Sequence, residues 1–376
     1  MMPKRFVVVM FLVVGLVFGV IISGAAQDQE EWEGFALNHP ENPGWFQPTR
    51  TSAPYKIGIS VAWTGNAWRT TQKAEINTLL DAFVEAGIVE DWKFVDAGGS
   101  VIQQKRNIRN LMDWDMDALI LDPVSPEALV STIREVTEEG ILVLNHTEHI
   151  PTERAMKMNN IQLFGTNYLY SGYIQGKFVA EQLVENFPEE ERKVLVLRGV
   201  PGAPSNIKRF DGAKKAIEEY PTVKIVGDAP TDWSVSQAKK AASDLISAHP
   251  NARGWITQGA MIMSAIPDAL EEAGKDPGKY VMTGEDFVAN IKLAEEHGFK
   301  FGCVLNPQSQ MTFSFFKAIQ GLMGVPIRKI NNFQVPMFSN VEGYPSLDQL
   351  DTEGLPNQAQ IMTFLTKEQL KKALGS

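Results

Sequence analysis

The chain of 376 residues contains one cysteine, Cys303. That excludes an intramolecular disulfide framework and any zinc or iron–sulfur site built on several thiolates. Positive charge is in deficit, with 35 Lys and Arg against 45 Asp and Glu and a formal net charge of −10. This argues against a nucleic-acid binder, because neutralising phosphates needs clustered cations. Enzyme signatures are missing too. No Gly-x-Ser-x-Gly elbow is present, and no dinucleotide fingerprint follows a strand-like run. Glu285 and Asp286 are adjacent and so point in different directions, unlike a facing acid–base pair of carboxylates. Gly172 to Lys177 imitates part of a phosphate loop, but the spacing is one residue short, Phe178 replaces the Ser or Thr, and the pattern around it is helical. No short-period repeat is visible, which excludes a solenoid.

What is present begins with one apolar segment. Lys4 and Arg5 precede an apolar run from Phe6 to Ile22, followed by the small residues Ser23-Gly24-Ala25-Ala26. This is the three-part pattern of an export signal, with cleavage expected after Ala26. The alternative is an uncleaved anchor, since the run reaches the lower limit of a bilayer span. No cysteine stands near the cleavage point, so a lipid-anchored form is excluded. The expected location is periplasmic or extracellular. Residues 27–54 carry Pro40, Pro43, Pro48 and Pro54 and read as an extended linker.

From Tyr55 onward, short apolar runs alternate with helix-length amphipathic stretches. Strands are expected at Lys56–Ala62, Lys93–Asp96, Ala118–Leu121, Ile141–Asn145 and Leu163–Gly165, then at Lys193–Leu197, Lys224–Gly227, Gly254–Thr257, Tyr280–Thr283 and Phe301–Leu305. Helical patterns include Gln72–Ala86, Ser125–Glu139, Gly172–Glu185 and Ser234–Ala248. Ser125-Pro126-Glu127 and Ser234 to Gln237 look like helix starts, the second fitting a capping box. Such alternation implies βαβ units, and this number of strands suits two doubly wound, Rossmann-like α/β domains with parallel sheets. In these folds ligands sit beyond the carboxyl ends of strands, where the strand order reverses.

The residues at those ends are rich in Asn, Asp, Gln and Trp and poor in nucleophile–base pairs: Trp63 to Arg69, Asp122-Pro123, Asn145-His146, Gly199 to Asn206, Asp232-Trp233, Gln258-Gly259, Glu285-Asp286 and Asn306-Pro307. Paired donors and acceptors with flat aromatic faces suit a neutral, polyhydroxylated ligand. The candidate ligand-binding residues are Asn66, Trp68, Arg69, Asn145, His146, Asn206, Trp233, Gln258, Asp286 and Asn306. Several have a second reading. Trp68 and Trp233 suit either ring stacking or a core, Asn66 and Asp286 either ligand contact or helix capping, and Arg69 either a bidentate contact or a solvated face. Arg209 reads as structural, paired with an acid or a carbonyl. His146 and His149 share a loop, but no third metal ligand is evident, and no cofactor is expected. Asn145-His146-Thr147 is a glycosylation sequon that its strand-end position disfavours.

With these residues in view, the chain resembles the ribose- and galactose-type sugar-binding proteins that serve bacterial ABC importers, from about Tyr55 to the C-terminal region. The matching segments are Gly65-Asn66-Ala67-Trp68-Arg69, Ala118 to Pro126, Leu197 to Gly202 with Arg209-Phe210-Asp211-Gly212, Thr231-Asp232-Trp233, and Thr283-Gly284-Glu285-Asp286. The resemblance implies the type I periplasmic binding protein fold, in which a hinge joins two domains around a sugar cleft. It divides the chain into residues 55–166 plus 307–335 and residues 167–306 plus 336–376. It implies a monomer that delivers a monosaccharide or polyol to an ABC permease in the membrane, with no nucleic-acid partner. Four departures turn the expectation away from ribose itself: Arg69 stands where an aromatic is expected, Asn145-His146 replaces an Asp-Arg pair, Ile207 replaces an Arg, and Gly259 replaces an Asn. Two other classes share parts of this reading: a sensor whose closed form signals to a membrane receptor, and a secreted sugar-modifying enzyme.

Overall fold

Short runs of apolar and β-branched residues such as Ala118-Leu119-Ile120-Leu121 are buried on both faces, as strands covered by helices on both sides require. In the computed structural model, which describes residues 45–46 and 52–375, the chain builds fourteen strands and eleven α-helices among those residues. A first series runs β1 (Trp45–Phe46), β2 (Tyr55–Val61), α1 (Ala67–Glu85), β3 (Val89–Asp96), α2 (Val101–Met112), β4 (Ala118–Leu121), α3 (Pro126–Glu138), β5 (Leu142–His146), α4 (Thr152–Ala155) and β6 (Ile161–Thr166). A second runs α5 (Tyr168–Asn186), β7 (Lys193–Arg198), α6 (Pro204–Glu218), β8 (Lys224–Pro230), α7 (Val235–Ala248), β9 (Gly254–Thr257), α8 (Ala265–Glu272), β10 (Val281–Glu285), α9 (Val288–His297) and β11 (Lys300–Val304). The chain then forms α10 (Gln310–Leu322), β12 (Ile327–Arg328), β13 (Ile330–Phe333), β14 (Met337–Ser339) and α11 (Lys367–Leu374). The apolar run Phe6–Ile22 and most of the expected linker lie outside the described residues. No described helix is long and apolar enough to cross a membrane.

Two six-stranded sheets result, ordered β3-β2-β4-β5-β6-β13 and β8-β7-β9-β10-β11-β14, with β1 and β12 forming a separate antiparallel pair. Pairing in the first sheet is parallel throughout. In the second, only β14 runs antiparallel, against β11. The α/β architecture expected from the alternating pattern is therefore present twice. In each sheet the strand order reverses beside its first strand, placing switch points between β2 and β4 and between β7 and β9.

Each sheet is covered on both faces by apolar side chains. Ile57, Ile59, Ile76, Leu80 and Phe315 pack on one face of the first sheet, and Ile108, Leu119, Ile133 and Leu163 on the other. The second sheet is buried likewise between clusters around Trp255 and Phe301 and around Phe178 and Val196. The chain crosses between the two bodies after β6, between β11 and α10, and between β13 and β14.

All ten strands expected from sequence are present within a few residues. The elements not anticipated are β1 and β12 to β14, two to four residues each; they are strands because a partner edge pairs with them, a signal that their own sequence does not carry. Helix α1 starts at Ala67, five residues before its apolar period begins, because Asn66 caps it by accepting from Arg69 N at 2.9 Å. Ser125 caps α3 by position with no side-chain bond, whereas Ser234 accepts from Gln237 N at 3.5 Å. The C-terminal segment assigned from sequence to the second domain contributes β14 to that sheet, while its last helix, α11, packs against α1 of the first.

Candidate functional site

Carboxyl ends of strands from both sheets face one cleft, with an inner cavity of about 50 Å³. The first body presents Trp63, Asn66, Trp68, Arg69, Thr147 and Glu148; the second presents Ser205, Arg209, Trp233, Gly259, Ala260 and Glu285; Tyr168 and Asn306 stand where the chain crosses.

On the first side, capping by Asn66 turns the first residues of α1 toward the cleft. Trp68 is buried and donates from Nε1 to Asn306 O at 3.0 Å, tying the two sides. The Arg69 guanidinium lies 5.0 Å from the Trp68 ring centre and 5.8 Å from that of Trp63, and forms an ion pair with Asp122 just beyond β4. Both members of that pair are buried. Burial pushes the Asp122 carboxyl above its ordinary range in spite of the Arg69 charge.

The loop after β5 is held by Asn145. Its Nδ2 donates to the carbonyls of Leu121 at 3.2 Å and Glu148 at 2.9 Å, and its Oδ1 accepts from Ile150 N at 2.8 Å. That lattice lets Thr147 take a left-handed φ of 59° and aims Glu148 across the cleft. There Glu148 accepts from Ser205 N at 3.0 Å and from the Ser205 hydroxyl, at the start of α6. A carboxylate facing a helix N-terminus is favourably placed. His146 is fully buried behind the loop with Nδ1 2.8 Å from Thr147 Oγ1. Burial, with Arg69 and His149 beside it, lowers its pKa well below the usual histidine value, so the ring is neutral.

On the second side, Arg209 is the organiser. It donates to Glu285 Oε1 at 2.6 Å and lies 4.4 Å from the Tyr168 ring centre. Glu285 Oε2 accepts from Ala260 N at 2.9 Å. Gly259, at φ 103°, is required here: a Cβ would stand 2.9 Å from Glu285 Oε1 in a conformation that L-residues avoid. Asp232 and Trp233 both take left-handed φ, 49° and 55°, which lays the Trp233 ring over Gly199 and lets its Nε1 donate to Gln258 O at 2.7 Å. A side chain at Gly199 would collide with that ring.

Of the residues singled out from sequence, Asn66, Trp68, Arg69, Trp233 and Asn306 line the inner cavity. The other five are placed one layer behind. Asn145 and His146 support the β5 loop, and Asn206 donates to Val200 O at 2.8 Å and accepts from Arg198 Nε at 3.3 Å. Gln258 is buried, and its backbone carbonyl carries Trp233. Asp286 turns away from the cavity and accepts from Asn306 N at 3.1 Å and Gln360 Nε2 at 3.0 Å. The sequence reading did not single out Trp63, Thr147, Glu148, Tyr168, Ser205 or Glu285 as ligand residues. Strand-end position was the available signal for Trp63, Ser205 and Glu285. Arg209 has the acid partner expected of it and also lines the cavity.

Burial raises the Glu285 carboxyl to about 7, Arg209 opposing the rise, and raises Asp286 to about 6. A carboxyl whose folded value exceeds its unfolded value contributes stability that is fully present below the unfolded value and lost as pH rises through the folded one. For Glu285 that window runs from about 4.5 to about 7. Thermal melting from pH 4.5 to 8 is therefore expected to show a steeper decline over this window in the wild type than in Glu285→Gln. Parallel profiles would show that Glu285 does not titrate there.

A family model described as periplasmic binding protein domain matches residues 57–323. The galactofuranose-binding protein YtfQ of Escherichia coli is 26% identical over 252 residues, covering 66% of this chain and 76% of its own. The ribose import binding protein RbsB of Bacillus subtilis is 21% identical over 256 residues, covering 67% of this chain and 78% of its own. Among solved structures, a Mycobacterium smegmatis protein in complex with β-D-fucofuranose superposes with a TM-score of 0.67 at 21% identity, covering 86% of this chain and 98% of its own.

Proposed function

The chain belongs to the periplasmic binding protein domain family, and from that premise we propose that it captures a small neutral monosaccharide or polyol in its cleft and delivers it to an ABC importer in the membrane. The observation that carries this reading is the chemistry of the inner cavity. Each arginine that lines it is already neutralised by a buried carboxylate, Arg69 by Asp122 and Arg209 by Glu285. An anionic ligand would have to displace one of these partners; a hydroxyl-rich neutral one uses the remaining donors and acceptors as they stand. Trp63, Trp68, Tyr168 and Trp233 supply flat faces for ring C–H groups.

The protein is a binding protein, not an enzyme. The relatives named as binding galactofuranose and ribose support a sugar as the ligand class. Export through the Lys4–Ala26 segment and a permease as partner complete the reading, which retains the five residues behind the cavity as supports of the lining.

Titration of intrinsic tryptophan fluorescence with a panel of furanoses, pyranoses and polyols is expected to give a saturable change for at least one. Trp68→Ala is expected to weaken that ligand by about 100-fold, the loss of a central buried aromatic anchor. A panel that changes neither fluorescence nor melting temperature would overturn the reading.

A further inference from the structure

Two buried carboxylates that do not themselves line the inner cavity converge on one stretch of the C-terminal segment from opposite bodies. Glu75, on α1 of the first body, accepts from Thr363 Oγ1 at 2.6 Å and from Phe364 N at 2.8 Å, and also from Ser309 Oγ at 3.1 Å and Thr312 Oγ1 at 3.3 Å. Asp286, beyond β10 of the second body, accepts from Gln360 Nε2 at 3.0 Å and Met362 N at 3.4 Å. Backbone bonds add to the second attachment: Val288 N donates to Ala359 O at 2.9 Å and Ala289 N to Asn357 O at 3.0 Å. Apolar packing joins the same partners: Val288 of the second body shares one buried cluster with Ala359, Leu365 and Leu370, and Ala74 of the first packs against that cluster. The Phe364 ring meets Phe313 of α10 edge-on at 5.4 Å between centroids.

We propose that residues 357–364 form a strap that limits how far the two bodies separate, with Glu75 and Asp286 as its positioning residues. Glu75 lies seven residues beyond Trp68 on the same helix, and Asp286 directly follows Glu285, so each anchor is rigidly connected to one wall of the cavity. Opening the cleft widely must pull the strap off one anchor and leave a buried carboxylate without the donors the strap supplies, a costly state. The strap thus raises the fraction of molecules near the closed geometry, and apparent affinity rises with that fraction. The affinity part rests on the sugar-capture reading; the geometric part does not.

The test places spin labels on the full chain at Ile102→Cys in α2 and Ile207→Cys in α6, which are 83% and 44% exposed, while the native Cys303 is fully buried. Without ligand, the strap variant Gln360→Leu/Thr363→Val and, separately, the anchor variant Glu75→Gln are expected to add a longer-distance population absent from the parent. For a sugar found in the panel, apparent affinity is expected to fall by about tenfold. If either variant melts like the parent and keeps its distance distribution, the strap is overturned. If the distances lengthen but no sugar binds the parent, the strap stands and the sugar reading fails.

Discussion

Gly172→Ala is expected to lower the melting temperature by roughly 10 °C, equivalent to about 3 kcal/mol or more for overpacking a domain of this size. Helices α5 and α6 cross so closely that each depends on a glycine of the other. A Cβ at Gly172 would fall on the carbonyl oxygen of Arg209, and one at Gly212 on the carbonyl oxygen of Leu169. These obstacles are backbone atoms held in helices, so no rotamer change relieves them and the helices must part. Gly176 faces Ala213 and Ala216 in the same seam. The Gly-x-x-x-Gly spacing that imitates a phosphate loop in the sequence is thus a packing seam. Separation would also shift Arg209 and the cavity wall that it builds. Glu218→Ala, an exposed substitution on α6, the partner helix of the seam, serves as the control. If Gly172→Ala melted within about 1 kcal/mol of that control, the seam would not be the constraint described.

Arg69→Met is expected to destabilise the protein by about 3–5 kcal/mol near neutral pH, because it leaves Asp122 buried without its cation. Asp122 has no exposed surface, and beyond Arg69 its carboxylate meets the backbone at Glu148 N, 3.4 Å away, and at Ala62. The pH dependence has a definite sign. Burial already raises the Asp122 carboxyl above 3.8. Removing Arg69 takes away the largest opposing influence and raises it further, so the deficit is smallest in acid, where the group is protonated, and grows as pH rises through the raised folded value. Denaturant melting at pH 5 and pH 8 measures this. The double variant Arg69→Met/Asp122→Asn is expected to recover most of the loss, since no charge is then stranded. A single variant as stable as the parent at pH 8, or a double variant no better than the single, would refute the account.

The sheets were legible because each strand is its own signal: a short apolar run such as Leu142–Asn145 reads as buried wherever it lies. Strand ends were legible for the same reason, and they led to Asn66, Trp68, Arg69, Trp233 and Asn306 at the cavity wall. Which neighbour faces the cavity was not legible. Glu285 enters it and Asp286 turns away because successive residues at a strand end point to opposite sides, and nothing local says which side is the cleft. Thr147 and Trp233 depend on left-handed torsions that their own residue types do not announce.

By itself the sequence determined the α/β class, the two doubly wound sheets and the acidic, disulfide-free character, because those follow from local periodicity and composition. Only the tertiary structure decided that Glu148 reaches Ser205 across the cleft, that Arg209 pairs with Glu285, and that the C-terminal segment is held by Glu75 and Asp286. Those partners are from 57 to 289 residues apart in the chain. Their pairing depends on where two independently packed bodies come to rest, a matter of global geometry that local pattern does not encode.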